Sequence, residues 1–280
     1  MNGTGDDLHG IALSMDVEPW WAGDLVREGR GGGQDIVAPA VDALLGLLEG
    51  KGVRATFFVL GTVAEEDPGL VERIAAGGHE IGSHAYEHIN LTETTRSAFL
   101  ASEKRTVDIL TSICGERPLG FRAPSCSVGP GTPWFHETLE KDLGYRYSSS
   151  VFPMRTPLYG YPGTPLGPYI PAGEPGGGHL LEFPPTVYRG PLLRMPVCGG
   201  VYLRFQPLWL VVRLLRKVLQ ERPAVLYIHP RDIYPLREKP PGIGLLSRLA
   251  LFHGAGKTLE KIAGLLDTFD FKPVREVLSL

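Results

Sequence analysis

The feature that most constrains this chain is a rhythm. Short apolar runs alternate with longer stretches of helical spacing, and the runs end in polar or titratable residues. Ile11–Val17 reads as a first strand, Ala55–Leu60 as a second and His79–Ser83 as a third. Further strands end near Phe121-Arg122 and at Ala224–Ile228. Between them, Ile36–Leu48, Pro68–Ala76, Arg96–Ile113, Pro133–Leu143, Pro207–Glu221 and Lys257–Thr268 read as helices. Gly50 and Gly52 stop the first helix, while Pro68 opens the second and Gly77-Gly78 lie past its end. Repeated strand–helix units predict an α/β fold with a parallel sheet, whose chemistry gathers where the strands end. We expect one barrel-like catalytic domain over residues 1–280.

The rhythm breaks between 152 and 178, where seven of 27 residues are Pro and seven are Gly. Candidate site residues lie on both sides, so we expect a loop that shapes the substrate cleft instead of a linker. Composition narrows the function further. A formal charge of −3 provides no drive toward nucleic acid. Three cysteines without a C-x-x-C pair support neither a disulfide framework nor a thiolate zinc site. The first ten residues lack the basic start and apolar core of a secretory signal, and no apolar run of about 18 residues exists. The expectation is a cytoplasmic protein with reduced thiols. Gly29–Gly33 lacks a following Lys-Ser or Lys-Thr, so it is read as a flexible rim and not a phosphate loop. Pro207–Lys217 is amphipathic and basic; a barrel helix with a solvated face is expected, with anionic membrane as the alternative. The sequence leaves the oligomeric state open.

Four segments carry chemistry. In Asp16-Val17-Glu18 strand alternation points both carboxylates to one side, although such a pair taken alone reads first as surface acids at a strand end. His84 and His88 are four apart, so one helical turn brings both imidazoles together, as a metal requires; His79 is expected to be structural. Arg122, in Phe121-Arg122-Ala123-Pro124-Ser125, can pair with a carboxylate or form an ordinary salt bridge. His229 ends an apolar strand, a position suited to a satisfied core-edge histidine or to a general acid.

In this order, the four segments resemble the NodB-type polysaccharide deacetylase family (carbohydrate esterase family four), over about Ile11 to His229. Phe121–Val128, Trp134, Gly144–Pro153, Glu182-Phe183-Pro184 and Gly199–Arg204 look like a subgroup associated with bacterial exopolysaccharide synthesis and export. The resemblance implies a distorted (β/α) barrel of about seven strands and a hydrolase that removes an N-acetyl group from a sugar. Asp16 would be the general base, Arg122 its holder and His229 the general acid. Glu18, His84 and His88 would hold one divalent ion, with Zn²⁺ expected and Co²⁺, Ni²⁺ or Fe²⁺ also fitting. Leu226, Tyr147, Trp20 and Pro124 would line the substrate pocket, with a backbone N–H near Tyr147 as an oxyanion donor.

Three positions depart from the pattern. The first acids are spaced instead of adjacent, Ser148 stands where the subgroup has Asp, and Pro230-Arg231-Asp232 replaces Pro-Trp-Glu. Other readings of the same residues are a deformylase or another amide hydrolase on this scaffold, and a carbohydrate-binding relative without turnover.

Overall fold

In the computed structural model the first strand, β1 (Ile11–Val17), is buried along its whole length and accepts parallel neighbours on both edges. The structure describes residues 9–22, 35–156, 159–171, 178–191, 194–197, 199–236 and 244–280. The Gly29–Gly33 rim and Cys198 lie outside these, as do residues 157–158 and 172–177 of the Pro/Gly-rich segment.

After β1 come α1 (Val37–Lys51), β2 (Thr56–Val59), α2 (Gly61–Glu66), α3 (Pro68–Ala76), β3 (Glu80–Ser83) and α4 (Arg96–Cys114). There follow β4 (Gly120–Phe121), α5 (Phe135–Glu137, continued as a π turn over Thr138–Asp142), β5 (Tyr147–Ser148) and β6 (Leu181–Glu182). An antiparallel hairpin of β7 (Val187–Arg189) and β8 (Arg194–Pro196) leads to α6 (Val201–Phe205), α7 (Leu208–Leu219) and β9 (Ala224–Ile228). The chain ends with α8 (Pro230–Ile233), α9 (Leu245–Phe252), α10 (Thr258–Leu266), β10 (Phe271–Lys272) and α11 (Val274–Val277).

The strands run parallel in the spatial order β9-β1-β2-β3-β4-β5-β6, with β10 paired to the start of β1. This is the expected distorted barrel. Its seam lies between β6 and β9, where the Thr186 hydroxyl donates to the Val225 carbonyl and accepts from the Val225 N–H. Gly199 also bridges to Tyr227 there. With φ at +125° and an added Cβ only 1.7 Å from the Tyr227 carbonyl oxygen, that position requires glycine.

Strand alternation divides the core into two layers. Ile11, Leu13, Met15 and Val17 of β1, with Leu226 and Ile228 of β9, face the helices in the largest apolar cluster. Ala12, Phe58, Tyr147 and Val225 pack inside the barrel. There Tyr147 donates to the buried Glu80 carboxylate (2.9 Å) and lies against Gly120, where a Cβ would meet the ring at 2.0 Å. Tyr147 therefore fills the barrel and does not line the substrate cavity, contrary to expectation. The N–H groups of Tyr147, Ser149, Ser150 and Val151, near which an oxyanion donor is expected, instead bond to Leu119, Phe121 and the Glu182 carboxylate.

Helix limits follow local chemistry. Asp67 caps α3 by accepting from the Leu70 N–H, and Pro68 occupies its first position. α1 ends on Gly52 in the left-handed conformation. The region read as a helix over Pro133–Leu143 contains only α5 and its π turn. Helices α2 and α9 lie outside all the sequence-based helix assignments.

Candidate metal centre and active site

Each candidate side chain leaves the C-terminal end of a barrel strand. Asp16 is on β1 and Glu18 follows it; His84 follows β3, Arg122 follows β4 and His229 follows β9. The ends converge because their strands are parallel neighbours, and Glu18, His84 and Arg122 are each about 1% exposed.

Glu18, His84 and His88 offer one ligand atom each, all within 4.8 Å of one another. Glu18 Oε2 lies 3.2 Å from His84 Nε2 and 2.9 Å from His88 Nε2. His84 Nδ1 lies 2.8 Å from the Arg122 carbonyl, which fixes the proton on Nδ1 and leaves the Nε2 lone pair facing Glu18. The two histidines do not sit on a helical turn, as their spacing predicts. Ala85, at φ 69°, bends the chain immediately after His84 and returns His88 to it, with ring centroids 5.5 Å apart. Left-handed backbone at alanine is costly, and the Ser83 hydroxyl accepting from the Ala85 N–H supports it.

Asp16 is held from below. Arg122 Nη1 donates to Asp16 Oδ1 (2.8 Å) and to Ser14 Oγ (2.7 Å). Its Nε and Nη2 donate to the carbonyl and hydroxyl of Ser149 (3.1 and 2.8 Å), and its guanidinium lies 4.3 Å from the Phe58 ring centroid. Ser149 is set in turn by Glu182, which accepts from the Ser150 and Val151 N–H groups and lies 3.1 Å from His136 Nε2. Glu182 belongs to the Glu-Phe-Pro segment; its support of Arg122 was not foreseen.

On the opposite side, Asp232 Oδ2 accepts from both the backbone N–H and the Nδ1 of His229, each at 2.9 Å. His229 Nε2 thereby points back to the carboxylates, 3.8 Å from Asp16 Oδ2 and 3.9 Å from Glu18 Oε1. Burial pushes the Asp232 carboxyl up, but the hydrogen bond and charge of His229, with Arg204 and Arg231, hold it well below the usual range. Glu18 is similar. Burial opposes its ionisation, yet His88, Arg231 and the hydrogen bonds of both histidines lower its pKa far below that of a free glutamate. Arg231 Nη1 donates to Glu18 Oε1 (2.5 Å), and Arg204 Nε lies 2.7 Å from Asp232 Oδ1. Asp16, Glu18 and Asp232 thus face Arg122, Arg231 and Arg204, so each buried carboxylate has a cationic partner.

These groups open into a cavity of about 460 Å³. Thr156, Tyr159, Tyr202 and Tyr227 contribute to its walls, so the described part of the 152–178 segment reaches the cleft. Among the expected pocket residues, Leu226 faces the helices; its neighbour Tyr227, two residues before His229, faces the cavity. Trp20 packs beside the cavity with Ile36 and Leu251, of which Leu251 lines it. Pro124 is buried between the lining residues Ala123 and Ser125. Cys126 also lines the cavity, but burial pushes its thiol up to about 12, so it is neutral and a poor nucleophile. His79 is structural, accepting from the Ala55 N–H. Among the described residues no helix is long and apolar enough to cross a membrane.

Residues 33–148 match the polysaccharide deacetylase family, and residues 149–279 match a domain of unknown function (DUF3473). The chain is 40% identical over 81 residues to the peptidoglycan-N-acetylglucosamine deacetylase of Bacillus cereus, covering 29% of this chain and 30% of that protein. It is 42% identical over 94 residues to the chitin deacetylase of Colletotrichum lindemuthianum, covering 31% and 38%. The matches thus span less than half the length of these curated relatives. A Mycobacterium smegmatis crystal structure assigned as a polysaccharide deacetylase superposes with a TM-score of 0.63 at 21% identity, over 97% of this chain and 88% of that one. An allantoinase superposes with a TM-score of 0.64 at 16% identity, over 99% and 91%. At such identities the likeness shows the fold alone. The second matched region shares one sheet and one site with the rest of the chain: β6 pairs with β5 of the first matched region, β9 pairs with β1, which precedes both regions, and His229 faces Asp16 of β1.

Proposed function

We propose that this chain, whose residues 33–148 match the polysaccharide deacetylase family, is a metal-dependent hydrolase that releases acetate from an N-acetylated amino sugar. One arrangement carries the reading: the Glu18–His84–His88 cluster lies between a carboxylate fixed by arginine and an imidazole fixed by a carboxylate.

The donor set fits a divalent ion. Two imidazole nitrogens and one carboxylate oxygen, with His84 held in the right tautomer, are ligands that suit Zn²⁺ and leave room for further ligands. When bound, the ion would supply Lewis acidity to the scissile carbonyl and lower the pKa of water from about 16 to about 7.

The protein side chains divide the remaining work. Asp16 takes the proton of the attacking water at Oδ2, the oxygen that Arg122 does not engage. His229 gives a proton from Nε2 to the departing amine, because an unprotonated amine is a very poor leaving group. Asp232 keeps the proton of Nδ1 in place and stabilises the charged imidazole before transfer. The amide C–N bond breaks, water supplies the new oxygen, and acetate and a free amine leave. Tyr227, Tyr159 and Tyr202 provide flat faces for a sugar ring.

The test is acetate release from a panel of N-acetylated sugars, free, nucleotide-linked and lipid-linked, with added Zn²⁺ and again with chelator. Chelator-sensitive acetate is expected from at least one. Formate from a formamido sugar in its place, or sugar binding without any turnover, would replace this reading.

A further inference from the structure

We propose that the surface around the end of α6, the start of α7 and the outer side of α9 docks this protein on an anionic lipid bilayer. Phe205, Trp209 and Leu249 are 53%, 68% and 45% exposed, and Trp209 has the highest value among the exposed large apolar residues. Phe205 and Leu249 both meet His253. The Phe205 ring stacks on His253 with centroids 4.6 Å apart, and the His253 N–H bonds to the Leu249 carbonyl one turn earlier. Trp209 follows Phe205 by four residues.

Helix α7 buries Val211, Leu214, Leu215, Val218 and Leu219 in the barrel, as a barrel helix should. Its opposite side carries Trp209, Arg213 and Arg216 at helical spacing, all exposed, with exposed Lys217 beside them. A merely solvated face would be expected to mix acids with these bases. Instead, residues 201–220 and 244–259 contain no Asp or Glu, although the chain has 31. Exposed Lys257 lies four residues before Lys261, whose ammonium donates to the Leu203, Arg204 and Gln206 carbonyls, and it adds a further cation near α6.

Aromatic and leucine side chains with Arg and Lys beside them, and no acid within α6, α7 or α9, match the chemistry of an anionic lipid surface. The rings enter the headgroup region and the cations meet phosphates. The patch lies at the site end of the barrel, since α7 runs into β9 and therefore begins where β9 ends. The same helices wall the cavity from within, through Val201 and Tyr202 of α6 and Ala250 and Leu251 of α9. Docking would bring the cavity to headgroup level. If the deacetylase reading holds, its substrate is then an N-acetylated sugar carried on a lipid.

Flotation of the full chain with vesicles tests the docking. Binding is expected to equimolar phosphatidylglycerol and phosphatidylcholine, not to phosphatidylcholine alone, and should weaken with salt. Arg213→Gln/Arg216→Gln should weaken partitioning roughly 30-fold, about fivefold per cation. Phe205→Ser/Trp209→Ser should also lose binding while melting temperature and acetate release from soluble sugars stay unchanged. No flotation at low salt, or equal flotation of both variants, overturns the docking. A dimer in sedimentation that Trp209→Ser dissolves assigns the face to a second copy and also overturns it. Acetate release without flotation refutes the docking alone; flotation without acetate from any sugar refutes the enzyme reading alone.

Discussion

Arg231 and Glu18 form a pair in which each carboxylate oxygen has a separate task. Oε1 accepts from Arg231 Nη1 at 2.5 Å, while Oε2 faces both histidines. Arg231 stands where the resembled subgroup has Trp, so the contact follows from one of this chain's departures. It leaves Glu18 one oxygen free of arginine, the one that would hold an ion, and would place a guanidinium on the same carboxylate.

Removing the guanidinium by Arg231→Met should therefore tighten metal binding. A partner that orients a ligand adds roughly 10–100-fold in affinity when it is neutral or anionic. Here it is a cation bonded to the carboxylate that would hold a dication, and at an effective dielectric near 20 their repulsion, on the order of several kcal/mol, would outweigh the lost orientation. We expect at least tenfold tighter Zn²⁺ binding in a chelator competition, with Arg231→Lys close to wild type. Weaker binding in Arg231→Met would show that orientation dominates.

Arg122 and Asp16 form the second buried pair, 1% and 6% exposed at their side chains. Replacing Arg122 by Leu leaves a carboxylate in the barrel without its partner, at a cost of about 3–5 kcal/mol in stability. Lower melting temperature and a fall in kcat of at least about a hundredfold are expected. Glu182→Gln, which acts through Ser149 and Arg122, should reduce kcat less and leave Zn²⁺ stoichiometry intact. A kcat unchanged in both variants would contradict the role given to this chain of contacts.

The register of β9 separates two neighbours. Leu226→Ala removes a side chain packed against the helices and should cost about 2–5 kcal/mol in chemical denaturation without changing KM at low temperature. Tyr227→Ala opens the cavity wall and should raise KM for the sugar. The reverse pattern would place Leu226 in the pocket after all.

Glu103 provides a pH test. Burial raises its carboxyl to about 7, against hydrogen bonds from Ser83 and Tyr145 and the charges of His84 and Arg117. The folded state then binds more protons than the unfolded state between the unfolded value of 4.5 and about 7. Stability must fall as pH rises through this window and level off above it, by ~3 kcal/mol in total from this group. The difference in melting temperature between wild type and Glu103→Gln across the window reads this contribution. A difference independent of pH would show that Glu103 titrates normally.

Sequence alone determined the strand–helix alternation, the parallel barrel and the six residues that meet at its strand ends. Hydrophobic periodicity is a local property: Asp16, Glu18, Arg122 and His229 each close an apolar run or follow one closely, while His84 and His88 follow the short His79–Ser83 strand. Tertiary structure decided what those residues touch. Period-two alternation distinguishes the two faces of a strand without saying which face is inward, so Tyr227 took the cavity position expected of Leu226. Left-handed Ala85, not helical spacing, brings His88 back to His84. Tyr147 turned into the barrel because Gly120 leaves it space on the adjacent strand. Asp232, Arg204, Arg231 and Glu182 act through partners far away in sequence, with the exception of the His229–Asp232 contact. No local pattern encodes which buried charges will meet. That depends on how the strands close, and on the requirement that every charge taken out of water find a partner.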